Sequence, residues 1–153
     1  MSIEKRLSEL GIRLPVTSIP SGSYIPAVEQ DGIIFTSGQV PRVDGEVKFK
    51  GKVGHTADIE QGYQGARICA INCLAAIDEL VGLDNVERII KVTGFVNATA
   101  DFEKTFAVID GASDLLLEVF AEKGIHARSA IGVQALPGGA VCEVEMVVKI
   151  VSQ

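Results

Sequence analysis

The chain is short of the residues on which most nucleic-acid-binding, metal-binding and membrane proteins depend. It carries 14 Lys and Arg against 20 Asp and Glu, and it has no basic or aromatic stripe, which argues against a nucleic-acid partner. Its two histidines, His55 and His126, are isolated from each other, so no zinc-binding pattern exists. No apolar run approaches the ~20 residues of a membrane helix. We therefore predict no metal, no nucleic-acid partner and no membrane contact.

The N-terminus and the cysteines are typical of a cytoplasmic protein. Residues 3–7 mix acidic and basic side chains and contain no apolar signal core. The three cysteines are an odd number, and we expect them to be reduced and buried as small apolar side chains. The length favours one domain over residues 1–153, in which residues 1–21 form an N-terminal helix and an extended lead-in.

Apolar periodicity and turn residues predict an α+β fold. We expect a mainly antiparallel sheet with two long helices on one face, the first of them capped by Thr56. The strands are too apolar for the other sheet face to meet water, so oligomerisation should cover it. The predicted elements are a helix at 3–11, an extended lead-in at 14–23, strands at 24–28 and 32–37, a hairpin or loop at 40–47 with an edge strand at 46–50, a helix at 56–81, a strand at 88–99 and a helix at 101–123.

The last thirty residues hold the most informative pattern. Two apolar runs flank Pro137-Gly138-Gly139, which predicts a β-hairpin. Side chains alternate between the faces of a strand, so Glu143 and Glu145 should share one face. Charges in so apolar a segment need partners or a ligand. Arg128 opens the first run, and its planar guanidinium suits two-pronged capture of a carboxylate.

This C-terminal segment resembles the signature of the RidA family, also called YjgF or L-PSP endoribonuclease-like proteins. It reads ARSAIGVQALPGGAVCEVE over residues 127–145. Residues 33–41, IIFTSGQVP, resemble the family's first-hairpin motif. Residues 90–96, IKVTGFV, followed by 100–102, ADF, resemble its central strand and the start of the next helix. The resemblance implies a homotrimer with a central barrel and with ligand clefts between adjacent subunits.

The resemblance also implies an activity and a set of site residues. The expected reaction is hydrolytic deamination of reactive enamines or imines to 2-keto acids, with release of ammonia and without a cofactor. Arg128 would grip the carboxylate of the substrate, and Glu143 would hold the attacking water. Glu145 is the rival for that second role. The resemblance assigns the remaining substrate-binding positions to Tyr24, Ser37, Ala130 and Ile131.

Two positions depart from the family pattern. Ala130 stands where the better-known deaminases often have Cys or Thr, and Asp110 is the nearest candidate for a cleft asparagine in their second helix. An aspartate that faced the cleft would repel a carboxylate. The long helix around residues 103–118 resembles that of a distinct subgroup of the family. Two alternatives therefore stay open: a non-catalytic protein that binds or senses a small carboxylate metabolite, and a ribonuclease, which the acidic balance disfavours.

Overall fold

The computed structural model describes residues 1–17, 19–20 and 22–152. Three short 3-10 turns lie at Leu83–Asn85, Ala121–Gly124 and Pro137–Gly139. The predicted lead-in at 14–23 includes Ser18 and Ser21, which lie outside the described residues, as does Gln153. The helices and strands are, in chain order, α1 Ile3–Glu9, β1 Ala27–Gln30, β2 Ile33–Thr36, β3 Arg42–Val43, β4 Glu46–Val47, α2 Ile59–Val81, β5 Val86–Asn97, α3 Thr105–Phe120, β6 Ala127–Val133 and β7 Cys142–Ile150.

The main sheet is mixed, with the strand order β1-β2-β7-β5-β6. β1 with β2, β2 with β7 and β5 with β7 pair antiparallel, whereas β5 and β6 pair parallel. The parallel pair is connected through α3, because parallel neighbours need a crossover connection of a dozen or more residues. The architecture is therefore the predicted α+β fold, but the sheet is not purely antiparallel.

The predicted hairpin of the last two strands is wrong. β5 lies between β6 and β7 and pairs with both of them. A tight two-residue turn would have made the two strands neighbours. Pro137–Gly139 instead forms a 3-10 turn within residues 134–141, and this longer connection lets the chain cross the end of β5. The twelve-residue β5 takes the position beside β7 that the local turn signal had assigned to β6.

Tight turns join the two strands predicted at 24–28 and 32–37 and close a hairpin within the hairpin or loop predicted at 40–47. Asp31 and Gly32 join β1 to β2 with φ of 52° and 79°, and Asp44 and Gly45 join β3 to β4 with φ of 50° and 82°. Positive φ at both central residues is typical of the turn type that matches the twist of a hairpin. β3 and β4 form a separate two-stranded sheet, and the predicted edge strand at 46–50 ends early, at Val47.

Helix α2 begins at Ile59, three residues later than predicted, and its cap is Asp58 and not Thr56. Asp58 accepts a hydrogen bond from the Gln61 amide at 2.8 Å, and the Gln61 side chain accepts one from the Asp58 amide at 2.9 Å. This reciprocal capping box satisfies two amides that the first turn leaves without partners. Thr56 instead accepts a hydrogen bond from the Lys52 amide at 2.8 Å, which orders the loop before the helix.

Helices α2 and α3 cover one face of the sheet, as predicted. Along β7 the residues Cys142, Val144, Met146 and Val148 are buried on that face. Gly111 lies in the middle of α3, where a Cβ would collide with the Tyr63 carbonyl of α2. The glycine therefore allows the two helices to approach closely, which offsets its low helix propensity of about 1 kcal/mol relative to alanine. Cys69, Cys73 and Cys142 are buried free thiols, as expected.

The opposite face of the sheet, called here the open face, is left partly exposed by the described residues. Strand register places Val28 beside Phe35 and Phe35 beside Val147 on this face. Ile131, Phe95 and Glu143 form another row across it. Val28, Phe35 and Ile131 are each 47% exposed. An apolar surface of this kind is typical of a subunit interface.

Candidate active site

Arg128 lies on the helix-covered face of the sheet, at the edge formed by β6. Its register partner is Val92, whose other partner is Met146, and both of those side chains are buried under the helices. The Arg128 Nη1 donates to Asp110 Oδ1 at 2.9 Å and to Ser113 Oγ at 3.1 Å, and both acceptors are on α3. The Arg128 side chain remains 21% exposed and that of Asp110 47% exposed. The guanidinium is thus fixed by α3 and still accessible from outside.

His126 extends this group of side chains on the same face of β6. Its Nδ1 lies 2.6 Å from the Gly124 carbonyl oxygen, and its Nε2 lies 2.9 Å from Ser113 Oγ. A carbonyl only accepts, so Nδ1 carries the proton and the neutral ring accepts from the Ser113 hydroxyl at Nε2. Burial lowers the pKa of His126 and the charge of Arg128 lowers it further, although the Gly124 hydrogen bond opposes them. Asp110, Ser113, His126 and Arg128 are called the Arg128 cluster below.

Two residue spacings in the sequence are consistent with this cluster. His126 and Arg128 are two residues apart, so an extended chain points them to the same side. Asp110 and Ser113 are three residues apart on a helix, so they share one helical face. Only the packing of α3 against β6 brings the two pairs together.

Glu143 lies on the open face, in a cavity of about 350 Å³ called here the Glu143 cavity. Burial raises the pKa of the Glu143 carboxyl, and the neighbouring charge of Glu145 raises it further. A carboxylate with a raised pKa is better able to accept a proton near neutral pH. Glu145 points to the same sheet face but does not line this cavity. The lining includes Tyr24, Gly38, Gln39, Arg42, Pro137 and Glu143.

Gly38 gives the Glu143 carboxylate its space. A Cβ at this position would lie 2.7 Å from Glu143 Oε1 and 2.9 Å from its Cδ. Any larger residue would therefore displace the carboxylate. This close approach explains the glycine of the Ser-Gly pair in the first-hairpin motif.

Ser37 secures the segment that carries Tyr24. Its hydroxyl donates to the Ile25 carbonyl at 2.6 Å, and its amide donates to the Pro26 carbonyl at 2.8 Å. Tyr24, one residue before Ile25, is 54% exposed at the Glu143 cavity. Ser37 therefore holds the wall of the cavity in place. Its hydroxyl proton is engaged in the hydrogen bond to the Ile25 carbonyl.

The remaining two predicted site residues, Ala130 and Ile131, lie on opposite faces of the sheet. Ala130 packs against the core on the helix-covered face, and its carbonyl accepts from Thr105 Oγ1 at 2.9 Å. Ile131 points to the open face. A single chain therefore brings Glu143, Tyr24 and Ser37 together, and separately places Arg128 and Ala130 on the other face. Arg128 and Glu143 do not share a cavity within one chain.

The described residues contain neither a metal-binding group nor a membrane-spanning helix. No group of three or more His, Cys, Asp or Glu side chains is arranged to hold a metal ion in residues 1–17, 19–20 and 22–152. Within the same residues, no helix combines the length and the apolar character needed to cross a membrane.

Comparison with known proteins places this architecture in a family. Residues 4–150 match the family described as "YjgF/chorismate_mutase-like, putative endoribonuclease". The chain is 37% identical over 150 residues to Protein TCP17 of Trypanosoma cruzi, across 97% of this chain and 94% of that protein. It is 36% identical to protein Atu1372 of Agrobacterium tumefaciens, of unknown function, with a TM-score of 0.91 over 97% of this chain and 92% of that one.

A second solved structure is similar along its whole length. It is a protein of Shewanella oneidensis MR-1 described as a "putative endoribonuclease", with a TM-score of 0.94 at 29% identity, and the match covers 98% of this chain and 100% of that one. The family match spans nearly the entire sequence and includes all three motifs. This chain therefore belongs to the YjgF/chorismate-mutase-like family, the RidA family that its motifs predicted.

Proposed function

We propose that this protein hydrolyses reactive enamines or imines to 2-keto acids, with release of ammonia, in clefts between adjacent subunits of a homotrimer. The observation that carries the proposal is the division of the two key groups between opposite sheet faces. Arg128 is accessible on one face, and Glu143 lies in a cavity on the other. A cleft that contains both needs one group from each of two copies.

The open face supports the proposed assembly. It carries Val28, Phe35 and Ile131, each about half exposed, and nothing in the described residues covers them. Three copies that pack these faces around a common axis would form a central barrel and bury the apolar rows. The edge strand β6 of one copy, which bears Arg128, would then lie beside the Glu143 cavity of the next.

In the proposed reaction, Glu143 holds a water molecule and accepts its proton as the oxygen attacks the imine carbon. The C=N double bond becomes a single bond, and the nitrogen takes up the proton that Glu143 accepted from the water. The tetrahedral adduct then collapses: its hydroxyl proton passes to the nitrogen by way of Glu143, the C–N bond breaks, ammonia leaves and the carbonyl of the 2-keto acid forms. An imine is already electrophilic, so orientation of substrate and water supplies most of the acceleration. Arg128 provides that orientation by binding the substrate carboxylate.

The direct test is release of ammonia and pyruvate from 2-iminopropionate that is generated in the assay. We expect both products to form faster with the protein than without it. Glu143→Gln should abolish most of the acceleration, whereas Glu145→Gln, which changes a carboxylate on the same strand face, should keep it. An unaccelerated reaction with a correctly assembled protein would contradict the proposal.

One observation favours a second candidate, a non-catalytic protein that binds a small carboxylate metabolite. The charge of Arg128 is already compensated by Asp110 at 2.9 Å. A compensated arginine holds a substrate carboxylate less strongly, and the proposed reaction depends on that orientation. A carboxylate ligand bound at Arg128, without any release of ammonia from the imine, would favour this candidate.

A further inference from the structure

The Arg128 cluster contains an acidic group that recognition of a carboxylate alone does not require. Asp110 is 47% exposed, and Arg128, its partner, is 21% exposed, so both present atoms to the same outer surface. The Asp110 contact to Arg128 uses Oδ1. Among the described residues, Oδ2 of Asp110 has no hydrogen-bond donor. The surface therefore offers guanidinium donors beside a carboxylate acceptor.

This pairing changes which ligands fit. A ligand whose only charge is a carboxylate would approach the guanidinium against the repulsion of Asp110. A ligand with a protonated nitrogen on the carbon next to its carboxylate would satisfy both groups. Its carboxylate would accept from Arg128, and its N–H would donate to Asp110. Charge-assisted hydrogen bonds of this kind are about twice as strong as neutral ones.

We propose that Asp110 is a specificity-determining residue, which makes the Arg128 pocket select carboxylates that carry an adjacent cationic nitrogen over the corresponding 2-keto acids. The favoured class comprises the iminium form of 2-imino acids and zwitterionic α-amino acids. This inference rests on the proposed function only in that Arg128 binds the ligand's carboxylate. It also favours release of the product, because hydrolysis replaces the nitrogen that Asp110 attracts with a carbonyl oxygen that it repels.

Ser113 helps to separate this role from a purely structural one. Its hydroxyl also accepts from Arg128 Nη1, at 3.1 Å, and is held in turn by His126. The guanidinium thus keeps a contact to α3 when the Asp110 charge is removed. Loss of that charge should change what the pocket binds more than where Arg128 lies.

The test compares two ligands with the same three-carbon skeleton, L-alanine and pyruvate, in NMR titrations of the assembled protein. The wild type should bind L-alanine at least about tenfold more tightly than pyruvate, the difference expected from one charge-assisted hydrogen bond. Asp110→Asn should shift the ratio of the two affinities toward pyruvate by at least about tenfold. Asp114→Asn is the matched control, because it removes the same charge from α3 at a residue whose partner is the Tyr63 hydroxyl, at 2.6 Å; it should leave the ratio unchanged.

Each outcome has a defined meaning. Equal affinities in the wild type, tighter pyruvate binding, or no binding of either ligand at about 10 mM, roughly ten times the upper end of usual KM values, would overturn the proposal even if Asp110→Asn failed to fold. An unchanged ratio in a folded Asp110→Asn would overturn it as well. If 2-iminopropionate is hydrolysed but the ratio does not depend on Asp110, this inference fails and the deaminase proposal stands. If the ratio behaves as expected but no ammonia is released, the inference stands and the deaminase proposal fails.

Discussion

The Arg128 cluster and the Glu143 cavity are built in opposite ways. The Arg128 guanidinium is held by Asp110 and Ser113 through hydrogen bonds of 2.9 and 3.1 Å. The Glu143 carboxylate is fixed by shape, since it occupies the space left open by Gly38, and its pKa is raised by burial and by Glu145. The Arg128 guanidinium has a counter-charge in contact with it, whereas the Glu143 carboxylate is partly buried and has the like charge of Glu145 nearby. This contrast accords with the proposed roles, in which Arg128 binds the ligand and Glu143 accepts a proton.

In the proposed trimer the two regions meet only between copies, so the first prediction concerns assembly. We expect Phe35→Glu to dissociate the trimer and abolish turnover, since it would bury a charge in the open face. Leu117→Glu is the matched control: Leu117 is 44% exposed on α3, close to the 47% of Phe35 on the sheet, and its substitution should leave the assembly intact. Sedimentation velocity measures both. A wild type that sediments as a stable monomer at micromolar concentration would remove the intersubunit site altogether.

The second prediction tests the Glu143 cavity alone. Glu143→Gln should slow turnover by about 10²–10⁴-fold, the usual loss for an acid–base group, while ligand binding at Arg128 is kept. Steady-state kinetics with 2-iminopropionate and a separate NMR titration give the two quantities. Glu145→Gln should stay within a few-fold of the wild type. If the two variants exchange these behaviours, Glu145 is the residue that holds the water.

The strand alternation that places Glu143 and Glu145 together was readable from the sequence, and so were both tight turns near the N-terminus. The position of β6 was not. Turn residues report on neighbours along the chain, whereas the insertion of β5 between β6 and β7 is a long-range pairing that no local pattern encodes. The sequence does contain a signal for the cap at Asp58, because Gln61 three residues later completes a capping box, whereas Thr56 has no such partner.

The site shows the same division between local and tertiary information. Motifs located Arg128 and Glu143, but the contact between Arg128 and Asp110 spans 18 residues along the chain and depends on how α3 lies over β6. The sequence raised Asp110 as a group that would repel a carboxylate if it faced the cleft. The structure shows it as the partner of Arg128. Whether a charged residue such as Asp110 repels a ligand can be judged only when its own counter-charge is known.

The third prediction tests the Arg128 cluster. Arg128→Lys keeps the charge but loses the planar fork that contacts a carboxylate at two points. The loss of one charge-assisted bond should weaken productive binding by about tenfold to a hundredfold, seen as a lower kcat/KM and a weaker titration. The assembly should persist in sedimentation. A variant with full activity would mean that Arg128 only joins β6 to α3.

The fourth prediction concerns the shape that fixes Glu143. Gly38→Ala would place a methyl group 2.7 Å from the present position of Glu143 Oε1, so the carboxylate must move. Misplacement of a catalytic group by a fraction of an ångström should lower kcat by about tenfold with little change in ligand affinity at Arg128. Unaltered kcat in Gly38→Ala would show that the carboxylate tolerates displacement and that the close contact with Gly38 is not needed for turnover.

The smallest expected effect is on the pH dependence of stability, through His126. Burial and the charge of Arg128 lower the pKa of His126 in the folded protein, so the folded state prefers the neutral ring more than the unfolded state does. Its contribution to stability is therefore complete above the unfolded pKa of about 6.5 and is lost as the pH falls through that value toward the lower folded one. Urea unfolding at pH 7.5 and at pH 5 should show that the wild type loses more stability than His126→Gln. The difference should be below about 1 kcal/mol, because solvent screens a half-exposed ring. A larger loss in the variant would mean that His126 is protonated in the folded cluster, which would reverse the proton assignment of the Ser113–His126 hydrogen bond.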